Sequence, residues 1–225
     1  LRVILNRDDL TVVRVVSQFE LKNLQGRSAR LDIYAIDEHG KQYDVEVQRS
    51  DDGAAPRRAR YNSSLLDANL LNPGDKFDEL PESYIIFITE HDVLKGGKPL
   101  YTVNRTISEL DHAIFADGSH IIYVNGEIRN GTALGELMQD FFCKDPREMH
   151  YKVLSDRAGY FKKDKEGVDT MCKLVEDYGN KKTYEQAVRF ATKLWNKGER
   201  DLQQIADLTD LPLDEVKKLF EGKTA

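Results

Sequence analysis

Apolar positions along the first 125 residues switch between a period of two and a helical period, and each switch marks an element. Residues 11–22 (TVVRVVSQFELK) are rich in Val and predict a strand, because β-branched side chains suit a pleated surface. Residues 30–37 (RLDIYAID) and 42–49 (QYDVEVQR) alternate and predict two more strands around the turn signal Glu38-His39-Gly40. From Pro56 to about Leu71 the spacing becomes helical, with Tyr61, Leu65, Ala68 and Leu71 on one stripe, and Asn72-Pro73-Gly74 ends the helix. Residues 83–89 (SYIIFIT) are a continuous apolar run of strand length, as expected of a strand buried on both faces. A Gly-Gly turn at 96–97, a short strand near 100–104 and another at 119–124 follow. Segments 132–143, 146–157, 167–178, 183–197, 201–208 and 212–221 then predict helices, the last two split by Thr209-Asp210-Leu211-Pro212. The expected fold class is mixed α/β followed by an all-helical extension. We place the domains at 1–145 and 146–225, the second ending in a helical hairpin.

Composition narrows this picture. The 225 residues suffice for a core, and 40% of them are hydrophobic, in periodic blocks that argue against disorder. No run approaches 18 apolar residues, so no membrane span is expected. Cys143 and Cys172 lie far apart with no CxxC spacing, which argues against a disulfide framework or a zinc knuckle and for a soluble, cytoplasmic protein of a reducing compartment. Neither a P-loop nor a nucleophile-elbow pattern is present, and the five His residues show no metal-ligand spacing. The chain starts at Leu1 within an apolar stretch and has no signal-peptide pattern, so we expect a truncated amino terminus. The net charge of −6 argues against a constitutive nucleic-acid coat but leaves room for a local basic groove. Residues 144–200 carry 14 basic and 10 acidic side chains, whereas 201–225 carry 3 and 6. The 201–225 pair has helix-turn-helix spacing, but its charge opposes phosphate and favours a packing or homodimerisation hairpin.

The segment Leu31 to Gln48 holds the candidate chemistry. A three-residue loop with Gly40 left-handed pairs Asp37 with Lys41, so that paired residue numbers sum to 78 and Asp32 opposes Glu46. Leu31, Ile33 and Ala35 then share one face with Tyr43, Val45 and Val47. The other face holds Arg30, Asp32 and Tyr34 across from Gln48, Glu46 and Asp44. Two opposed carboxylates, with Cβ atoms roughly 4.5–5.5 Å apart, repel each other unless something compensates. A shared divalent cation such as Mg²⁺ would do so and could assist phosphodiester hydrolysis. The same residues also suit the solvent face of an antiparallel pair, although Tyr34 and Ile36 on that row suggest partial cover. Arg57, Arg58, Arg60 and Tyr61 open the following helix, where guanidinium groups at a helix start suit phosphate.

Arg30-Leu31-Asp32-Ile33, a short Gly-containing loop and Val45-Glu46-Val47-Gln48 together resemble the PD-(D/E)XK nuclease superfamily. The resemblance is to its nuclease-family transposase branch, related to the recombination-promoting nucleases. It continues through Arg57–Leu71, Pro73-Gly74-Asp75-Lys76-Phe77, Tyr84–Glu90, Pro99-Leu100-Tyr101 and Tyr123-Val124-Asn125, and covers about residues 1–145. It implies a restriction-endonuclease-like core, a mixed central sheet flanked by helices, and a divalent-metal-dependent DNA endonuclease using Mg²⁺ or Mn²⁺. Asp32 and Glu46 would be catalytic metal ligands, with the Val47 carbonyl completing the site. Gln48 would be the third catalytic residue, standing where most of the superfamily has Lys. Gln carries no positive charge, so it can orient water or phosphate only by hydrogen bonding, and a cation must come from elsewhere. The implied DNA contacts are Arg30, Arg57, Arg60 and Tyr61. The branch has an acidic residue in a helix before the first strand; that helix is expected to be missing here, with Glu20 the nearest substitute. The alternative is a nuclease-fold module that binds DNA or a protein without cutting.

Overall fold

The computed structural model describes residues 1–23, 26–49, 51–163 and 165–221, with backbone alone for 51, 52, 163 and 165–178. Contacts divide the chain into two compact units, Leu1–Lys152 and Val153–Ala225.

The first unit opens with a short helix α1 (Arg2–Leu5) and the strands β1 (Val12–Leu21), β2 (Ala29–Asp37) and β3 (Gln42–Gln48). Helix α2 (Pro56–Ala68) precedes β4 (Ser83–Thr89), β5 (Leu100–Val103), a two-residue ribbon β6 (Thr106–Ile107) with β7 (Ala113–Ile114), β8 (Ser119–Asn125) and α3 (Ala133–Phe142). Six strands form one sheet in the order β1-β2-β3-β4-β8-β5. The β3/β4 and β4/β8 pairs are parallel and the others antiparallel, so the sheet is mixed.

Helices cover both faces of this sheet. On one side Ala35, Tyr43, Val45, Ile86, Ile88, Ile122 and Val124 meet Ile4 of α1 and Met138 of α3. On the other Tyr34, Ile85, Phe87 and Tyr123 meet Ala59, Leu65 and Leu66 of α2. This is the restriction-endonuclease-like α/β arrangement that the resemblance implies. It also explains the unbroken apolar run of β4, which needs Ile85 and Phe87 on one face and Ile86 and Ile88 on the other. The ribbon and α1 carry too few periodic positions to stand out in the sequence.

The carboxylate hairpin closes as expected. Gly40 sits at φ 79°, a conformation open to glycine, and its N–H reaches the Asp37 carbonyl at 3.0 Å. Asp37 secures the turn by accepting the His39 and Lys41 N–H groups, each at 2.9 Å, and the Tyr43 hydroxyl at 2.8 Å. Ile33/Val45, Tyr34/Asp44, Ala35/Tyr43 and Ile36/Gln42 pair, each summing to 78.

Strict alternation fails beyond Ile33, and two expectations change. Leu31 does not share the Ala35 face; it lies in the α2-side core with Tyr34, three residues away. Val16 and Phe19, also three apart, both pack on that side. The cause is Gln18, whose φ of 53° turns β1 over opposite Asp32, so both strands switch faces there. The inward stripe of α2 is also rotated from the predicted one. Ala59, Asn62, Ser63, Leu65 and Leu66 are buried, whereas Tyr61 and Ala68 are exposed. Asn62 and Ser63 face inward because polar groups await them there: Asp44 and the Ser119 hydroxyl.

In the second unit α4 (Lys152–Lys163) starts later than predicted, after a 3₁₀ turn at Pro146–Glu148, and α5 (Lys165–Asn196) runs as one helix through both predicted segments. The end of α5 packs with α6 (Leu202–Thr209) and α7 (Leu213–Phe220) around Ala191, Trp195, Ile205, Val216 and Phe220. Cys143 is half-buried and its thiol meets the Asp145 carbonyl; the Cys172 side chain lies outside the described residues. Among the described residues, no helix is long and apolar enough to cross a membrane.

Candidate active site

Asp32 and Glu46 stand where the β2/β3 ladder gives out. Past Ile33/Val45, side chains take over from backbone pairing. The Asp32 N–H donates to Glu46 Oε1 at 3.2 Å, and the Val47 N–H donates to Asp32 Oδ2 at 3.1 Å. Each carboxylate is therefore anchored on the other residue's strand. This reciprocal exchange places the two acids together at the carboxyl end of β3, where open α/β sheets commonly bind ligands. The kink at Gln18 contributes directly, because its side-chain amide donates to Asp32 Oδ1 at 3.3 Å.

Glu46 has no solvent exposure, and Gln48 and Arg58 both address its second oxygen. Gln48 Nε2 donates to Oε2 at 3.0 Å, and Arg58 Nη2 at 2.6 Å. Arg58 Nη1 also donates to the Gly53 carbonyl at 2.7 Å, tying the loop after β3 to α2. A Cβ at Gly53 would lie 2.2 Å from the Gln48 amide oxygen, so a larger residue there would make the Gln48 side chain shift. Asp51 and Asp52, in the same 3₁₀ turn, have side chains outside the described residues.

Asp44 is a third acid, buried on the same face as Glu46. Asn62 Nδ2 donates to its Oδ2 at 3.2 Å, while Oδ1 has no hydrogen-bond partner. Burial, and then the Glu46 charge, raise the Asp44 pKa well above the usual aspartate value. Burial and the Asp32 charge also raise Glu46, against the opposing pull of Arg58.

The remaining predicted contacts scatter. Val47 has its side chain exposed and its N–H on Asp32. Arg30 pairs in register with Glu20 on β1. Arg57 and Arg60 are exposed on α2, and it is Arg58, between them, that turns to Glu46. Tyr61 donates its hydroxyl to the Arg27 carbonyl and accepts from Asn23, beside a cavity of about 600 Å³ lined by Lys22, Ser64, Leu65 and Asn69. Arg58 lies one turn before the buried Asn62, a phase that the apolar spacing of this helix did not show. Asn62 and Gln18 gave no signal either.

A divalent metal suits these donors. Asp32, Asp44 and Glu46 crowd negative charge that Arg58 alone does not balance, and carboxylate oxygen is the donor Mg²⁺ prefers. Among the described residues no cluster of three or more His, Cys, Asp or Glu side chains is arranged to enclose an ion. Two carboxylates and one carbonyl form the sparse set that Mg²⁺ accepts while keeping several waters.

No curated protein and no solved structure matches the chain. A family model described as PD-(D/E)XK nuclease family transposase matches residues 4–130, which include both carboxylates, Gln48 and Arg58. With more than half its length in that match, the chain belongs to the PD-(D/E)XK nuclease family transposases.

Proposed function

We propose that this protein is a divalent-metal-dependent DNA endonuclease. The observation that carries the reading is the reciprocal anchoring of Asp32 and Glu46 at the end of β3. Such anchoring holds two mutually repelling carboxylates in place for a cation. Asp32, Glu46 and the Val47 carbonyl are the metal-holding groups. Bound Mg²⁺ or Mn²⁺ supplies Lewis acidity toward a phosphoryl oxygen and lowers the pKa of water. Gln48 orients a water or the scissile phosphate through its amide. Arg30, Arg57, Arg60 and Tyr61 contact the DNA backbone. In the net reaction a water oxygen bonds to phosphorus, one P–O ester bond breaks, and a water proton ends on the leaving alkoxide. Nothing in these residues calls for strand transfer.

The test is nicking of supercoiled plasmid in Mg²⁺ or Mn²⁺. Wild type should cut, and Asp32→Ala should cut at least 100-fold more slowly, on the scale expected for loss of a group that orders the reacting centre. Equal rates would sink the assignment. A second reading, a non-cutting module that retains DNA or a protein partner, draws on Gln48, which lacks the charge of Lys. Metal-independent DNA retention with no nicking at high protein concentration would favour it.

A further inference from the structure

We infer that Arg58 is the cation that Gln48 does not provide, and that it works by exchange: it neutralises Glu46 until a metal arrives and then serves the DNA phosphate. This rests on the nuclease reading above and adds a residue and a sequence of events to it. Three observations converge. Arg58 Nη2 lies 2.6 Å from Glu46 Oε2, the carboxylate oxygen that Gln48 also addresses. Arg58 is 37% exposed while Glu46 is fully buried, so the guanidinium spans from the acid to the mouth of the site. Its other terminal nitrogen is fixed on the Gly53 carbonyl at 2.7 Å, an anchor independent of Glu46.

Guanidinium suits this task. It keeps its charge at any working pH and offers five donors in a planar fork, so one nitrogen can stay on Gly53 while another changes partner. A cation at Glu46 Oε2 competes with Arg58 for the same negative charge. Once displaced, Arg58 keeps a charge that needs an anion, and phosphate accepts the same fork geometry as carboxylate. Neither Arg57 nor Arg60 has this geometry, since both are exposed away from Glu46.

The experiment is Mn²⁺ calorimetry on wild type, Arg58→Gln, Arg58→Lys and Asp32→Ala. It is paired with a salt series for binding a short DNA duplex in Ca²⁺. Arg58→Gln should bind Mn²⁺ on the order of ten-fold more tightly, because the competing charge is gone. In the salt series its log–log slope should be shallower by about 0.9, the share of one phosphate contact. Arg58→Lys keeps the charge but lacks the fork that holds Gly53, so its Mn²⁺ affinity should stay near wild type, which separates the role of the charge from damage to the fold. Mn²⁺ binding to Arg58→Gln that equals or falls below wild type overturns the exchange, and so does an unchanged salt slope. If wild type binds Mn²⁺, Asp32→Ala loses it and Arg58→Gln matches wild type throughout, the inference fails and the nuclease reading stands. If wild type binds no Mn²⁺, both fail.

Discussion

Asp44 illustrates the strain a single side chain carries at this site. One of its oxygens meets Asn62, the other has no partner, and Glu46 sits two residues away on the same face. Burial and the Glu46 charge raise its pKa in the folded chain. Between the unfolded value, about 3.9, and the raised folded one, the native state binds more protons than the unfolded state. Its contribution to stability is therefore full below the unfolded value and is lost as pH rises through the folded one. Asp44→Asn keeps an acceptor for Asn62 and removes the charge. In metal-free protein at pH 8 it should stabilise the fold by about 1 kcal/mol or more, roughly 2–4 °C in Tm. The gain should shrink in melts at progressively lower pH. At this scale the sequence showed the hairpin register as far as Ile33/Val45, because a Gly-containing turn and period-two spacing set register by counting, but not the side-chain exchange that joins Asp32 to Glu46 beyond it. It did not show that Arg58 is the arginine turned inward, because that depends on helix phase to within one residue.

Elements were legible in proportion to how far burial alone dictated their composition. β4 lies between two layers, and its apolar run gave its bounds, Ser83–Thr89, directly. For α2 the apolar stripe suggested the wrong rotation, because its inward face includes Asn62 and Ser63 serving buried polar partners. The end of α3 shows another element held by polar chemistry. Asp140 is buried and accepts the His150 and Tyr151 N–H groups at 2.8 Å each, and also the His150 ring. Burial alone would raise its pKa, but these donors outweigh it and hold the group below the usual value. Its contribution is therefore present above the unfolded value, about pH 3.9, and is lost as pH falls through the folded one. Asp140→Ala leaves two backbone donors without partners and should cost about 2–3 kcal/mol at pH 7. In acid titrations the gap from wild type should narrow as pH falls below the unfolded value, and a gap that stays unchanged down to acid unfolding would rule out this account.

For the whole molecule, the division into two units places the carboxylate site within the first and gives the second its own core. Trp195, the sole tryptophan, stacks on Phe220 at 4.4 Å between centroids and reports on that second core. Ile205 is fully buried beside it, so Ile205→Ala should lower the stability read by Trp195 fluorescence by about 2–5 kcal/mol. An unchanged fluorescence transition would contradict the packing described for α5, α6 and α7. The sequence by itself determined the main strands, the hairpin register from Ile33/Val45 to Ile36/Gln42, and the family. The strands and the register follow from local turn chemistry and from periodicity, which act between neighbours in the chain; the family follows from the ordered series of motifs that resembles it. Only the tertiary structure decided that β1 and β2 switch faces at Gln18 and Asp32, that Asn62 meets Asp44, and that Arg58 reaches Glu46. Each of these joins residues more than ten positions apart. Their partners are set by how strands and helix pack together, which no local pattern encodes.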